Sequence, residues 1–123
     1  MAILGLDHIN IRTVDLERTI TFFTEVLGLT VGWRPAFPFG GAWLYAGGKD
    51  LVHLVAVAKP QAPSRASSLD HFAFAIDDYE AAVRTLETHG MAYEPAVSPE
   101  GDIRQVFVTE LNGVTIELNC RAR

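Results

Sequence analysis

Apolar and polar residues alternate along Ile9-Asn10-Ile11-Arg12, which predicts a strand with His8, Asn10 and Arg12 on one face and Ile9 and Ile11 on the other. The period then changes. Leu16, Ile20, Phe23 and Leu27 recur at helical spacing, with Phe22 and Val26 beside them, and predict an amphipathic helix over residues 15–27. Asp15 is placed to cap that helix, and Gly28 to end it in a left-handed residue. Three strand-like runs follow, roughly residues 29–34, 42–46 and 51–58. They are divided by the turn sequences Pro38-Phe39-Gly40-Gly41 and Gly47-Gly48-Lys49-Asp50.

The same order then repeats. Leu6-Asp7-His8 returns as Leu69-Asp70-His71, 63 positions on, and Gly28 returns as Gly90, 62 positions on. After His71, Phe72, Phe74 and Ile76 alternate with Ala73 and Ala75, so the rings turn to the helix and the alanines leave space on the other side. A second helix is predicted over residues 79–89, with Asp77 and Glu80 as its capping box and His89 favourably placed in its last turn. Strands are predicted at roughly 92–97, 104–109 and 114–119, the last two joined by an Asn112-Gly113 hairpin turn. Residues 59–68 have linker composition. The chain therefore reads as an α+β fold of two βαβββ modules, about 1–58 and 69–123, within one domain.

Composition narrows what such a fold can do. An apolar share of 49% with 20% charged residues describes a globular chain able to bury a core. A net charge of −5 argues against nucleic acid, which demands a basic face. No apolar run nears the roughly 20 residues that span a bilayer. The residues after Met1 run straight into a strand pattern, without the regions of a signal peptide. One cysteine, Cys120, forms no internal disulfide and fits a reducing compartment. The expected location is the cytoplasm.

The candidate chemistry sits at equivalent places in the two halves. His53 interrupts the apolar run from Leu51 to Val57, and Glu117 stands 64 positions on, in a strand otherwise patterned as Val114, Ile116, Leu118. A carboxylate there needs a partner, because an unpaired buried charge is expensive. The first and last strands of each module thus carry one ligand-type side chain: His8 and His53, then His71 and Glu117. Three imidazoles and a carboxylate suit a first-row divalent ion. A lone strand histidine is usually a packed residue; three of the four histidines at repeat-equivalent positions favour the metal. Trp33, Trp43, Tyr45, Gln105 and Phe107 are candidate pocket liners.

The residues from Asp7 to Leu16, then Phe22 to Leu29, Arg104 to Val108 and Asn112 to Leu118, resemble the vicinal oxygen chelate superfamily of glyoxalases, extradiol dioxygenases and fosfomycin- and bleomycin-resistance proteins. The resemblance spans almost the whole chain. It implies a cupped mixed sheet with the helices outside, one divalent metal per site (Ni, Zn, Fe, Mn or Co) on His8, His53, His71 and Glu117, and a homodimer sharing sites between subunits. It also implies that the metal chelates a small oxygenated substrate through adjacent oxygens and stabilises an enolate-like intermediate. Under that reading the chain is a lyase or isomerase, Glu117 doubles as catalytic base, and Asn10, Arg12 and Gln105 contact substrate. Arg12 matches an arginine that contacts glutathione in glyoxalase I, whereas glyoxalase I typically has a glutamate at the position of His53. Two alternatives stand: an Fe(II) extradiol-type dioxygenase on a two-histidine, one-carboxylate triad, and a fosfomycin- or bleomycin-resistance-like transferase or binding protein.

Overall fold

A computed structural model describes residues 1–122. They form two compact units, Met1–Gln61 and one beginning at Ala62. Each is a βαβββ module. In module 1 the order is β1 (Ile9–Thr13), α1 (Leu16–Thr21), β2 (Thr30–Gly32), β3 (Gly41–Ala46) and β4 (Lys49–Ala56). In module 2 it is β5 (His71–Ala75), α2 (Tyr79–Thr88), β6 (Glu94–Val97), β7 (Ile103–Thr109) and β8 (Thr115–Arg121). Each module has its own four-stranded mixed sheet, ordered β1-β4-β3-β2 and β5-β8-β7-β6. The first and last strands of a module are parallel neighbours, with Asn10 beside His53 and Ala73 beside Glu117.

Strand parity separates two faces, as the sequence predicts. Ile11, Leu44, Val52 and Leu54 are buried with Phe22, Phe23 and Leu29, on the side where α1 packs against β3 and β4. Val106, Val108, Ile116 and Leu118 are buried with Leu86 of α2, which packs on β7 and β8. Burying these side chains supplies most of the folding free energy. Phe72 and Phe74 are half-buried and meet edge to face at 5.3 Å. Thr13 and Thr19 are wholly buried and bond each other through their hydroxyls at 2.8 Å, so the core carries a satisfied polar pair that no hydrophobic pattern reveals.

The first helix differs from its expected form. It is α-helical only over Leu16–Thr21 and then widens into a π-helical turn, Phe22–Val26. The extra residue per turn lets the adjacent rings of Phe22 and Phe23 both face inward, edge to face at 5.2 Å. Asp15 caps this helix by accepting from the Arg18 amide. In module 2 the cap is Asp78, which accepts from the Ala81 amide, and not Asp77. One residue decides it, because only the position directly before the helix aims its carboxylate at the third amide.

Gly90 ends α2 at φ +67°, with the Met91 amide reaching back to the Leu86 carbonyl. A Cβ at Gly90 would meet nothing within 4 Å. Gly90→Ala is therefore expected to cost only the left-handed backbone penalty, about 1–2 kcal/mol, read from urea unfolding. Residues of linker composition are partly built into module 2. Ser64 opens a 3-10 turn (Ser64–Ala66), donates its amide to the Gly113 carbonyl and accepts the Thr115 amide on its hydroxyl. Among the described residues no helix is long and apolar enough to cross a membrane.

Candidate metal centre

Module 2 places two of the expected donors against each other. His71 opens β5, Glu117 lies mid-strand in β8, and the parallel pairing of those strands brings Nε2 of His71 to 3.2 Å from Oε1 of Glu117. Asp70 accepts a bond from Nδ1 of His71 at 2.7 Å. An ionised carboxylate can only accept, so Nδ1 carries the hydrogen and Nε2 of the neutral ring is a bare lone pair. That lone pair faces a carboxylate oxygen. Two acceptors are stable in this arrangement only with a cation between or beside them, either a proton or a metal. Glu117 is 5% exposed, and its second oxygen accepts from the Asn119 amide nitrogen at 2.6 Å. This second bond fixes the carboxylate plane.

Module 1 repeats the arrangement with different residues. His8 directly precedes β1, and its Nδ1 donates to Asp7 at 2.7 Å, again leaving Nε2 free as a donor to a metal. His53 is 7% exposed and sandwiched: its ring stacks on His8 at 3.8 Å and on Trp43 at 3.9 Å. Its Nε2 bonds Asp50 at 2.6 Å. The imidazole bonded to it holds the Asp50 carboxyl below the usual carboxylate range. His53 thus has Nδ1, not Nε2, left for any further partner. The row Asn10, His53, Trp43 across module 1 corresponds in register to Ala73, Glu117, Phe107 across module 2. Phe107 stands edge-on to His71 at 5.3 Å, as an aromatic wall to that pair.

The expected substrate contacts sit on the same faces. Asn10 and Arg12 are exposed on the His53 side of β1, and Asn10 lines a cavity with His53. Gln105 is half-buried on β7 opposite Asn119. Trp33 meets Trp43 edge to face at 5.8 Å, and the Tyr45 hydroxyl donates to the Trp33 carbonyl. Within either module, among the described residues, no three His, Cys, Asp or Glu side chains gather to form a metal cage. The donors come as one pair per module.

Four supporting residues escaped the sequence reading: Asp7, Asp70, Asp50 and Asn119. The first two had a visible signal, because an aspartate precedes the histidine in both copies of the repeated tripeptide. Carboxylates in this position orient an imidazole and raise its basicity. Asp70→Asn is accordingly expected to weaken metal binding about 10- to 100-fold while leaving the melting temperature of the metal-free protein nearly unchanged. Competitive titration against a chromogenic chelator measures the first effect and a thermal melt the second.

Residues 5–118 match the family model for the glyoxalase/bleomycin resistance protein/dioxygenase superfamily. The chain is 31% identical over 118 residues to the protein YaeR of Escherichia coli (strain K12), covering 90% of this chain and 92% of that one. It is 29% identical over 119 residues to the glutathione transferase FosA of Serratia marcescens, covering 94% and 79%. The fold matches a glyoxalase family protein from Bacillus anthracis with TM-score 0.83 and 21% identity, over 98% of each chain. It also matches a variant of the fosfomycin resistance protein FosX from Listeria monocytogenes, complexed with Mn(II) and 1S,2S-dihydroxypropylphosphonic acid, with TM-score 0.80 and 16% identity over 98% and 95%. By the match over residues 5–118, and with two modules each built as βαβββ, the chain belongs to the glyoxalase/bleomycin resistance protein/dioxygenase superfamily.

Proposed function

We propose that this protein is a metal-dependent enzyme in which His8, His71 and Glu117 hold one divalent ion, with His53 as a fourth ligand or as the acid–base group beside it. His8 and His53 belong to module 1, and His71 and Glu117 to module 2. The observation that carries this reading is Nε2 of His71 at 3.2 Å from Oε1 of Glu117, with Nδ1 already committed to Asp70. The donor set fits a borderline divalent cation: imidazole nitrogens and a carboxylate, each oriented by a second hydrogen bond.

When bound, the ion supplies Lewis acidity to two neighbouring oxygens of a small substrate. The chain's own groups do the rest. Glu117 is fixed by Asn119 and shielded from water, so it can exchange a proton at a carbon beside the bound carbonyl. Asp50 keeps His53 in one tautomer, with Nδ1 as its acceptor atom. Arg12, Asn10 and Gln105 offer polar contacts to substrate. The reaction is that of a lyase or isomerase.

Protein purified without chelator is expected to carry one divalent ion per chain by elemental analysis. With nickel, zinc, cobalt or manganese it should exchange α-protons of small 2-oxo and α-hydroxy acids, or of their thiol adducts, for deuterium. Confirmed metal binding with no exchange under any metal would overturn the proton-transfer reading. The FosA relative favours a second reading, a transferase acting on a fosfomycin-like substrate. Glutathione-dependent loss of fosfomycin, followed by phosphorus NMR, separates the two.

A further inference from the structure

Module 1 holds a cavity of about 130 Å³ beside its sheet, walled by Asn10, Arg34, Phe37, Phe39, Trp43 and His53. An apolar cavity of about 150 Å³ takes up one benzene ring. The space therefore suits one six-membered ring or a short branched chain, and it is too small for a nucleotide or a peptide. Phe37 and Phe39 stack at 5.1 Å and 15°, and Trp43 tilts toward Phe37 at 6.4 Å. Phe37 is 42% and Phe39 47% exposed. Aromatic surface left wet beside a cavity is area that a bound apolar group would remove from water.

Arg34 gives the cavity its charge. Its guanidinium lies 5.1 Å from the centre of the Phe37 ring and 5.2 Å from that of Phe39. One Nη2 hydrogen goes to the Phe39 carbonyl at 2.9 Å. Gly41 leaves the space the guanidinium uses: a Cβ there would stand 2.9 Å from Nη2 and 2.3 Å from the Leu54 carbonyl oxygen. The cation is thus held by two rings, a carbonyl and a glycine gap, and four of its five N–H groups lie beyond that bond. Among the described residues it forms no ion pair. A fixed guanidinium fork matches a carboxylate geometrically. A dianion fits less well, because among the described residues Arg34 is the one cation lining the cavity, and His53 of the same wall is bonded to the Asp50 carboxylate.

We infer that module 1 binds monocarboxylates carrying one aromatic ring or a short branched alkyl group, with the ring against Phe37, Phe39 and Trp43 and the carboxylate on Arg34. Because His53 lines this cavity and also stacks on His8, such compounds are the substrate class of the proposed centre; that last step rests on the metal reading. Binding itself does not depend on the metal.

Calorimetric titration of the full chain in excess chelator tests the binding, with phenylacetate, its neutral analogue phenylacetamide, and acetate as probes. Phenylacetate is expected to saturate one site per chain and to bind at least tenfold more tightly than either control. Arg34→Met should abolish that preference and leave phenylacetamide binding unchanged. If phenylacetate fails to saturate, or binds no better than phenylacetamide, or is held equally by a folded Arg34→Met protein, the inference is overturned. Should Arg34→Met fail to fold, the three-probe comparison on the unaltered chain still decides. A metal titration on the same preparation reports separately on the metal reading.

Discussion

His71→Ala and Glu117→Ala are each expected to abolish stoichiometric metal binding while leaving the metal-free protein folded. Each change removes one of the two facing donors of module 2. The surviving partner then lacks the arrangement that favours a cation. Folding survives because both side chains lie on the sheet face away from α2, whose partners Val106, Val108, Ile116 and Leu118 are untouched. Loss of Glu117 also removes a buried carboxylate that costs free energy when no cation accompanies it. A ligand at 100 times its Kd stabilises a folded protein by about 2.7 kcal/mol. The unaltered protein should therefore melt higher with metal, and the variants should not. Variants that bind one ion per chain with native affinity would make these residues structural.

Phe23→Ala is expected to do the opposite. Phe23 belongs to the π-helical turn and is completely buried in module 1, edge-on to Phe22. Truncating a buried phenylalanine costs about 3–5 kcal/mol, because the cavity left behind collapses only in part. For a chain of this size that lowers the melting temperature by roughly 12–20 °C. Neither donor of module 2 is altered, so at a temperature where the variant remains folded, the His71–Glu117 pair keeps its chemistry. A loss below about 1 kcal/mol in urea unfolding would show that the turn repacks without the ring.

The fold was legible because its two faces differ so sharply in sequence. Ile9 and Ile11 against Asn10 and Arg12, or Phe72 and Phe74 against Ala73 and Ala75, specify a strand and its orientation together. The near-constant offset from His8 to His71 and from His53 to Glu117 then aligned the modules. What escaped depends on distances that periodicity does not encode. The π-helical turn comes from competition between two adjacent phenylalanines for one core, and spacing alone cannot tell it from an α-helix. Asp77 and Asp78 are chemically identical caps, and only the backbone path distinguishes them. His53 was visible as a polar interruption, but the commitment of its Nε2 to Asp50 follows from strand geometry three residues away. Arg34 stands at the end of a run that reads as strand but lies beyond β2, and Phe37 and Phe39 lie at or beside a turn sequence, so side-chain direction has no period to follow at any of the three.

The parallel pairing of the first and last strands of each module also governs how the chain can acquire its structure during synthesis. Ile9 of β1 waits for Val52 of β4, and His71 of β5 for Thr115 of β8. Neither sheet can close until its final strand has emerged, so each is assembled late relative to its own length. But among the described residues the ladder of module 1 uses none beyond Val57, whose amide donates to the Thr13 carbonyl. Its hydrogen-bonded ladder can be complete while the second half is still being made, which makes the nascent chain vectorial: one finished unit trailing an unfinished copy of itself. Similar halves joined in one chain risk pairing the wrong strands, a hazard familiar in repeat proteins. Closing the first ladder before the second exists removes the competing strands at the stage when they would do most harm.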